Sequence, residues 1–178
     1  MSEQSVWTHG LVFFPYSTDI KEAIANDQSI NPTLLTKVST YDDWGLIPSS
    51  KPFIKLPEYK QNFVDILGKN GAIDATEILG SVMYANRQES IEFYVREYPI
   101  VNGMRLTFEQ LKRMIANYIH GKELCVYLES DPDVFYAGRW SIEDMHTEEN
   151  WSVLTINYIL ETFGYYFTVP QSGSRLTL

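Results

Sequence analysis

Residues 106–144 read LTFEQLKRMIANYIHGKELCVYLESDPDVFYAGRWSIED. Two periods meet in this stretch. In the first half Thr107 is a good N-cap, and Gln110 three residues on completes a capping box. Leu106 and Leu111 stand at the staple positions around that cap. Leu111, Met114, Ile115, Tyr118 and Ile119 recur at helical spacing on one face, and Gly121 supplies the stop. One amphipathic helix is therefore predicted between Thr107 and Gly121. From Lys122 the period drops to two, the signature of strands with one face buried. KELCVYLE and VFYAGRWSIED are two such strands, with SDPD as the turn between them.

The same alternation extends in both directions. WSVLTINYILE follows after the turn signal HTEEN. Upstream, ESIEFYVRE sets Ile91, Phe93 and Val95 on one face and Glu92, Tyr94 and Arg96 on the other. VWTHGLVFF (Val6 to Phe14) reads as a further strand, and STDIKEAIANDQSINP as a short helix or turn ended by Asn31-Pro32. TLLTKVSTY favours extended chain. KPFIKL and NFVDI are short strand candidates among Pro48, Pro52 and Pro57. One long helix cannot cover sheets on both faces. The predicted class is α+β, mainly β: an antiparallel β-sandwich with one packed amphipathic helix and an extended hairpin arm.

The arm is expected around Asn62 to Ser81 and contains FVDILGKNGAIDATEILGS, Phe63 to Ser81. Gly68-Lys69-Asn70-Gly71 is a tight turn between two extended limbs, since Asn and Gly tolerate the positive φ such turns need. Gly68, Gly71 and Gly80 match neither G-x-G-x-x-G nor G-x-x-x-x-G-K-[ST], so the stretch is no phosphate cradle. Asp65, Asp74 and Glu77 read as turn and interface acceptors.

Composition narrows the function classes. The 178 residues hold 44% hydrophobic and 14% aromatic residues, enough for a core without staples and too apolar for a disordered chain. The net charge of -9 and the absence of any Lys/Arg run argue against a phosphate-neutralising grip on nucleic acid. An acidic surface suits a wall along which DNA slides without sticking. The lone Cys125 allows no intrachain disulfide and reads as a buried small hydrophobe. MSEQSVW lacks the pattern of a signal peptide, and no apolar run reaches membrane-spanning length. Synthesis in a reducing cytoplasm is expected, with no membrane insertion.

Candidate chemistry is sparse. Asp131 and Asp133 flank Pro132 without the spacing of a calcium loop. Asp42 and Asp43 are adjacent, so extended backbone points them to opposite faces. Glu148 and Glu149 sit in a polar turn. His9, His120 and His146 share no ligand spacing, and His120 in the last helical turn suits the helix dipole. No G-x-S-x-G elbow is present. No catalytic, cofactor-binding or metal-binding residue is assigned, no cofactor is expected, and the chain is expected not to be an enzyme. Trp140, Trp151, Tyr158, Phe163, Tyr165, Tyr166 and Phe167 crowd the C-terminal third as core or interface. The alternative is a carbohydrate- or receptor-binding β-sandwich module, with exposed, coplanar indoles as its platform. FGYYFTVPQSGSRLTL ends the sequence as a docking tail or frayed end.

Two stretches resemble a known family, the phage distal tail proteins of siphovirus-type tails. The first runs from Trp44-Gly45-Leu46 through Lys51-Pro52-Phe53-Ile54, Pro57 with Lys60, and Val64 to Glu77, to Tyr84 with Asn86-Arg87. The second is YIHGKELCVYLESDPDVFYAGRWSIED, Tyr118 to Asp144. Leu67 stands where that family has proline, and Lys51 where it has arginine. The resemblance covers roughly residues 41–160 and divides the chain into an N-terminal extension (1–40), a ring-forming β-sandwich domain (41–162) and a C-terminal tail (163–178). It implies a structural virion protein of the bacteriophage tail tip or baseplate. Such proteins form a ring, expected to be hexameric, between the tail tube protein and the tail hub and host-recognition machinery. DNA passes through the ring's channel during genome ejection without specific binding. Assembly is expected in the host cytoplasm.

Overall fold

The computed structural model describes residues 10–78, 80–95, 100–101, 103–147 and 151–176. In chain order they form strand β1 (Leu11–Pro15), helix α1 (Thr18–Ala25), β2 (Val38–Ser39), β3 (Leu46–Pro48), β4 (Phe63–Val64), β5 (Ile73–Asp74), β6 (Arg87–Val95), β7 (Ile100–Val101), β8 (Met104–Arg105), helix α2 (Phe108–Ile119), β9 (Lys122–Leu128), β10 (Asp131–Thr147), β11 (Ser152–Leu160) and β12 (Tyr165–Tyr166). A 3-10 turn at Pro32–Leu34 breaks the run before β2. The class is α+β, mainly β, as the periodicity predicts; two helices are present rather than one, because the Thr18–Ala25 stretch, read as a short helix or turn, forms α1.

One antiparallel sheet dominates, in the order β2-β1-β9-β10-β11-β6-β3, with β12 also paired to β10. The pairs β4-β5 and β7-β8 are separate two-stranded ribbons. A single curled sheet thus takes the place of two stacked ones. The reason lies in β10, which pairs with β9 and β11 at once: Gly138 faces both Leu124 and Leu160. Register shifts at Asp131/Phe135 and Ile142/Asp144 add the bends that curl such a sheet. Residues 40–45 alone carry the chain from β2 at one edge to β3 at the other. Thr40 N–H donates to Leu11 O (2.9 Å) and Leu46 N–H to Thr40 O (2.8 Å), so this short crossing ties the two edges together.

The curl encloses the main core. Leu11 and Phe13 of β1, Phe93 of β6, Trp140 of β10 and Leu154 and Ile156 of β11 meet Leu111, Ile115 and Ile119 of α2 there. The predicted capping box is present: Gln110 N–H donates to Thr107 Oγ1 (3.3 Å) and Thr107 N–H to Gln110 Oε1 (2.9 Å). Gly121 takes the positive φ of 73° that ends the helix. The outer face carries a second core, with Phe14, Cys125, Phe135 and Ala137 under Ile20 of α1, Tyr165 and Phe167.

The described parts of residues 1–40 and 163–178 belong to this architecture. β1 pairs with β9 from Leu11↔Leu128 to Pro15↔Leu124, while Val6 to His9 lie outside the described residues. The C-terminal segment clasps the loop after α1. Asp27 Oδ1 accepts from Ser174 Oγ (2.7 Å) and Ser174 N–H (3.0 Å). Ile30 N–H donates to Phe167 O (2.8 Å).

Two outcomes follow from this packing. At Gly138 an added Cβ would lie 2.3 Å from Ile159 O and 2.6 Å from Leu160 Cα. Backbone cannot yield there, so Gly138→Ala is expected to cost at least the ~1–3 kcal/mol typical of overpacking, read from urea unfolding. Second, the Ser174 hydroxyl, then its backbone N–H, hold the Asp27 carboxyl below its ordinary pKa. A depressed carboxyl contributes stability above its unfolded pKa and loses it as pH falls through the lowered folded value. Protection factors in residues 164–176, measured exchange corrected for the intrinsic slowing of amide exchange in acid, should therefore fall on acidification below the ordinary carboxylate range. Asp27→Asn should remove that acid dependence; an unchanged acid profile would contradict the clasp.

Candidate functional site

The segment from Phe53 to Tyr84 stands outside the sheet. Its root is well held. Lys55 N–H donates to Tyr158 Oη (3.1 Å), and Lys55 O accepts from Arg87 Nη1 (2.9 Å). Lys55 Nζ lies 3.2 Å from Glu58 and 3.7 Å from Glu89. Ala85 N–H donates to Glu58 O and Lys60 N–H to Met83 O, both at 2.7 Å. These bonds zip the two limbs together beside the Tyr59↔Tyr84 bridge.

Arg87 is the buried member of this root, at 2% exposure. Its Nε donates to Thr162 O (3.0 Å), and its guanidinium lies over the Tyr136 ring at 5.1 Å. Burial lowers its pKa, and the Tyr136 and Tyr158 hydroxyls oppose the shift. Nη2 has no hydrogen-bond partner among the described residues. A planar cation with fixed donors suits the capture of two carbonyls from separate loops.

Beyond the root the arm is bare. Among the described residues β4 and β5 pair only with each other, Phe63↔Asp74 and Val64↔Ile73. Phe63, Val64, Ile66, Leu67, Ile73 and Ile78 are all exposed, Leu67 fully so. Gly68 and Gly71 have φ of 85° and 81°, as the turn requires. Asp74 Oδ1 accepts from Thr76 N–H (2.9 Å), and the Thr76 bonds hold its carboxyl below its ordinary pKa. It is a turn acceptor. Asp65 and Glu77 are exposed. A hollow of about 590 Å³ lies on the arm, lined by Tyr59, Phe63, Asp74, Thr76 and Tyr84 among others.

The remaining candidates are dispersed. Trp140 is fully buried, edge-on to Phe13 at 4.8 Å and 5.3 Å from Tyr158. Tyr158, Tyr165 and Phe167 are buried too, and Phe163 lies 6.4 Å from Tyr84. Trp151 alone of these is strongly exposed, at 51%, tilted 54° against Tyr94. A flat platform of paired indoles is therefore not formed. Cys125 is buried, and burial above all pushes its thiol far up. Asp43 Oδ2 accepts from Ser39 N–H (2.7 Å) as a turn residue, and Asp42 is exposed. Asp131 opens β10 opposite Leu128, and Asp133 O accepts from Phe167 N–H (3.1 Å). His120 caps α2, and its Nδ1 accepts from Ile142 N–H (3.1 Å). His146 pairs with Asp144 at 2.7 Å on the exposed end of β10. His9, Glu148 and Glu149 lie outside the described residues. Among the described residues, no three His, Cys, Asp or Glu side chains are grouped to hold a metal. No described helix is long and apolar enough to cross a membrane.

Sequence patterns gave no hint of two polar anchors. Glu129 accepts from Gly10 N–H (2.7 Å) and Ser39 Oγ (2.9 Å), tying β9 to the chain on either side of β1. Asp27 holds the C-terminal segment. Both look like ordinary solvated carboxylates in sequence, because their partners lie 90 or more positions away.

No protein-family model matches this chain, and no curated protein matches it. Among solved structures it is similar to the Dit protein of phage SPP1, with a TM-score of 0.48 and 13% identity. That crystal structure is described as a paradigm of the hub adsorption apparatus in phages that infect Gram-positive bacteria. The similarity covers 68% of this chain, which spans 46% of that protein's length.

Proposed function

We propose that this chain is a structural subunit of a bacteriophage tail tip. In this reading copies of it form a ring, six to a turn, between the tail tube and the hub that carries host recognition. The ring's channel passes DNA without binding its sequence, and the chain catalyses nothing. The observation that carries the reading is the arm. Val64 to Glu77, the stretch most specific to the distal tail protein resemblance, stands apart from the sheet with Val64, Ile66, Leu67 and Ile73 in water. A two-stranded hairpin is marginal alone, and clustered exposed apolar side chains mark an interaction surface. A neighbouring copy is the cover this reading supplies.

Native mass spectrometry and electron microscopy of the purified protein test it. Closed rings are expected; a protein that stays monomeric at every concentration and is absent from assembled tails would overturn it. Gly71→Val separates arm from core. A Cβ there meets nothing within 4 Å, so the variant strains only a backbone of positive φ. The strain costs about 1–2 kcal/mol and falls on the turn. Retained circular dichroism with weakened ring formation is expected.

A further inference from the structure

A ring built by a projecting arm needs a seat on the next copy, and the two surfaces differ, so contact runs head to tail. The outer face of the sheet holds a candidate near the free end of β10. Register places His146, Val153, Tyr94 and Ile47 in one cross-strand row over β10, β11, β6 and β3. Trp151 lies against Tyr94 with ring centroids 6.2 Å apart, and both are exposed. The next row is Asp144, Thr155 and Glu92. An aromatic pair is thus edged by carboxylates. Asp144 is paired to His146, whereas exposed Glu92 has no ion-pair partner among the described residues.

The arm tip has the complementary chemistry. Ile66 and Leu67 are exposed, and Lys69 is the sole charged residue between Ile66 and Ile73. Lys69 also has no ion-pair partner among the described residues. Residues 51–84 hold four lysines and four carboxylates, so the rest of the chain carries the entire charge of -9. A neutral arm can approach an acidic body that would repel a second acidic body. Exposed Trp and Tyr side chains that accept apolar cover are typical anchors of such contacts.

We infer that the Trp151–Tyr94 face is the seat for the arm tip of a second copy of this chain. Ile66 and Leu67 cover the two rings, and Lys69 lies against Glu92. The inference rests on the ring reading above and adds the acceptor surface.

The test measures self-association of the full chain by native mass spectrometry and sedimentation. Trp151→Ala and Leu67→Asp are each expected to raise the apparent dissociation constant about tenfold or more. Leu67 is fully exposed, so Leu67→Asp leaves folding alone, and near-ultraviolet dichroism from buried Trp140 checks both variants. Lys69→Glu and Glu92→Lys should each weaken association, and combining them should restore it. Restoration in the double variant alone supports direct contact. Wild-type assembly with unchanged assembly of Trp151→Ala and Leu67→Asp overturns the seat while leaving the ring intact. Loss in both single charge variants without restoration in the double one overturns the Lys69–Glu92 pairing and the docking geometry stated here. A wild-type protein that never associates overturns the ring reading itself.

Discussion

The middle of the sheet is buried on both faces, and this constraint organises everything around it. On β1, Leu11 and Phe13 enter the inner core while Phe14 enters the outer one. On β9, Leu124 and Val126 go inward and Cys125 outward; on β10, Tyr136 goes inward and Phe135 and Ala137 outward. Such strands cannot alternate apolar with polar, and LVFF is an almost unbroken apolar run. Each face then needs its own cover. The inner cover is α2, local to β9 in sequence. The outer one is assembled from α1 and from Tyr165 and Phe167, segments brought together from near both ends of the chain. The Asp27–Ser174 bonds act on that distant pairing, so an exposed carboxylate reaching a buried serine keeps two parts of the outer lid in register.

Arg87 does a related job at the open end of the curl. Arg87 has no carboxylate partner among the described residues, and a buried guanidinium so placed loses hydration that only good hydrogen bonds offset. Two carbonyls and the Tyr136 ring supply most of that compensation, and one of those carbonyls is at the root of the arm. Arg87 thereby couples the sheet end to the direction in which the arm leaves it. Root and tip obey opposite rules. The root is dense in bonds between residues far apart in sequence, and among the described residues the tip is held by its own turn and the short β4–β5 pair.

What the sequence disclosed and what it hid divide along one line: local pattern against distant partnership. α2 was legible because Thr107, Gln110, Leu111 and Gly121 act within a few residues of one another. β6, β9, β10 and β11 were legible from their alternation, and the arm from Gly68 and Gly71. The single curled sheet was not, because closure depends on Thr40 meeting Leu11 and Leu46, a matter of where strand edges come together in space. β1 was visible as a strand, but its place beside β9 was not, since strand order leaves no mark on hydrophobic period. The candidate surface was half legible. Its glycine turn could be read, whereas the exposure of Trp151 and the burial of Trp140 could not. Both indoles sit in similar strand-rich sequence, and only the turn of the sheet sends one inward.

The placement of exposed apolar side chains also constrains what the molecule is for. They are not scattered as on an ordinary surface. Many of the large ones fall between Phe53 and Met83, while the sheet beside them buries residues as large as Trp140 and Tyr158. A fold that could bury the arm's side chains against its own sheet would gain their transfer free energy, about 25 cal/mol per Å². The root bonds hold the arm away from that gain. Lys55 is fixed on both sides of its peptide, by Tyr158 and by Arg87, before the chain reaches β4. Holding an apolar hairpin out in water is a cost for the isolated chain, and it is recovered only when another surface covers the hairpin. The charge is divided in the same way: residues 51–84 are neutral, and the acidic remainder carries the whole net charge of -9.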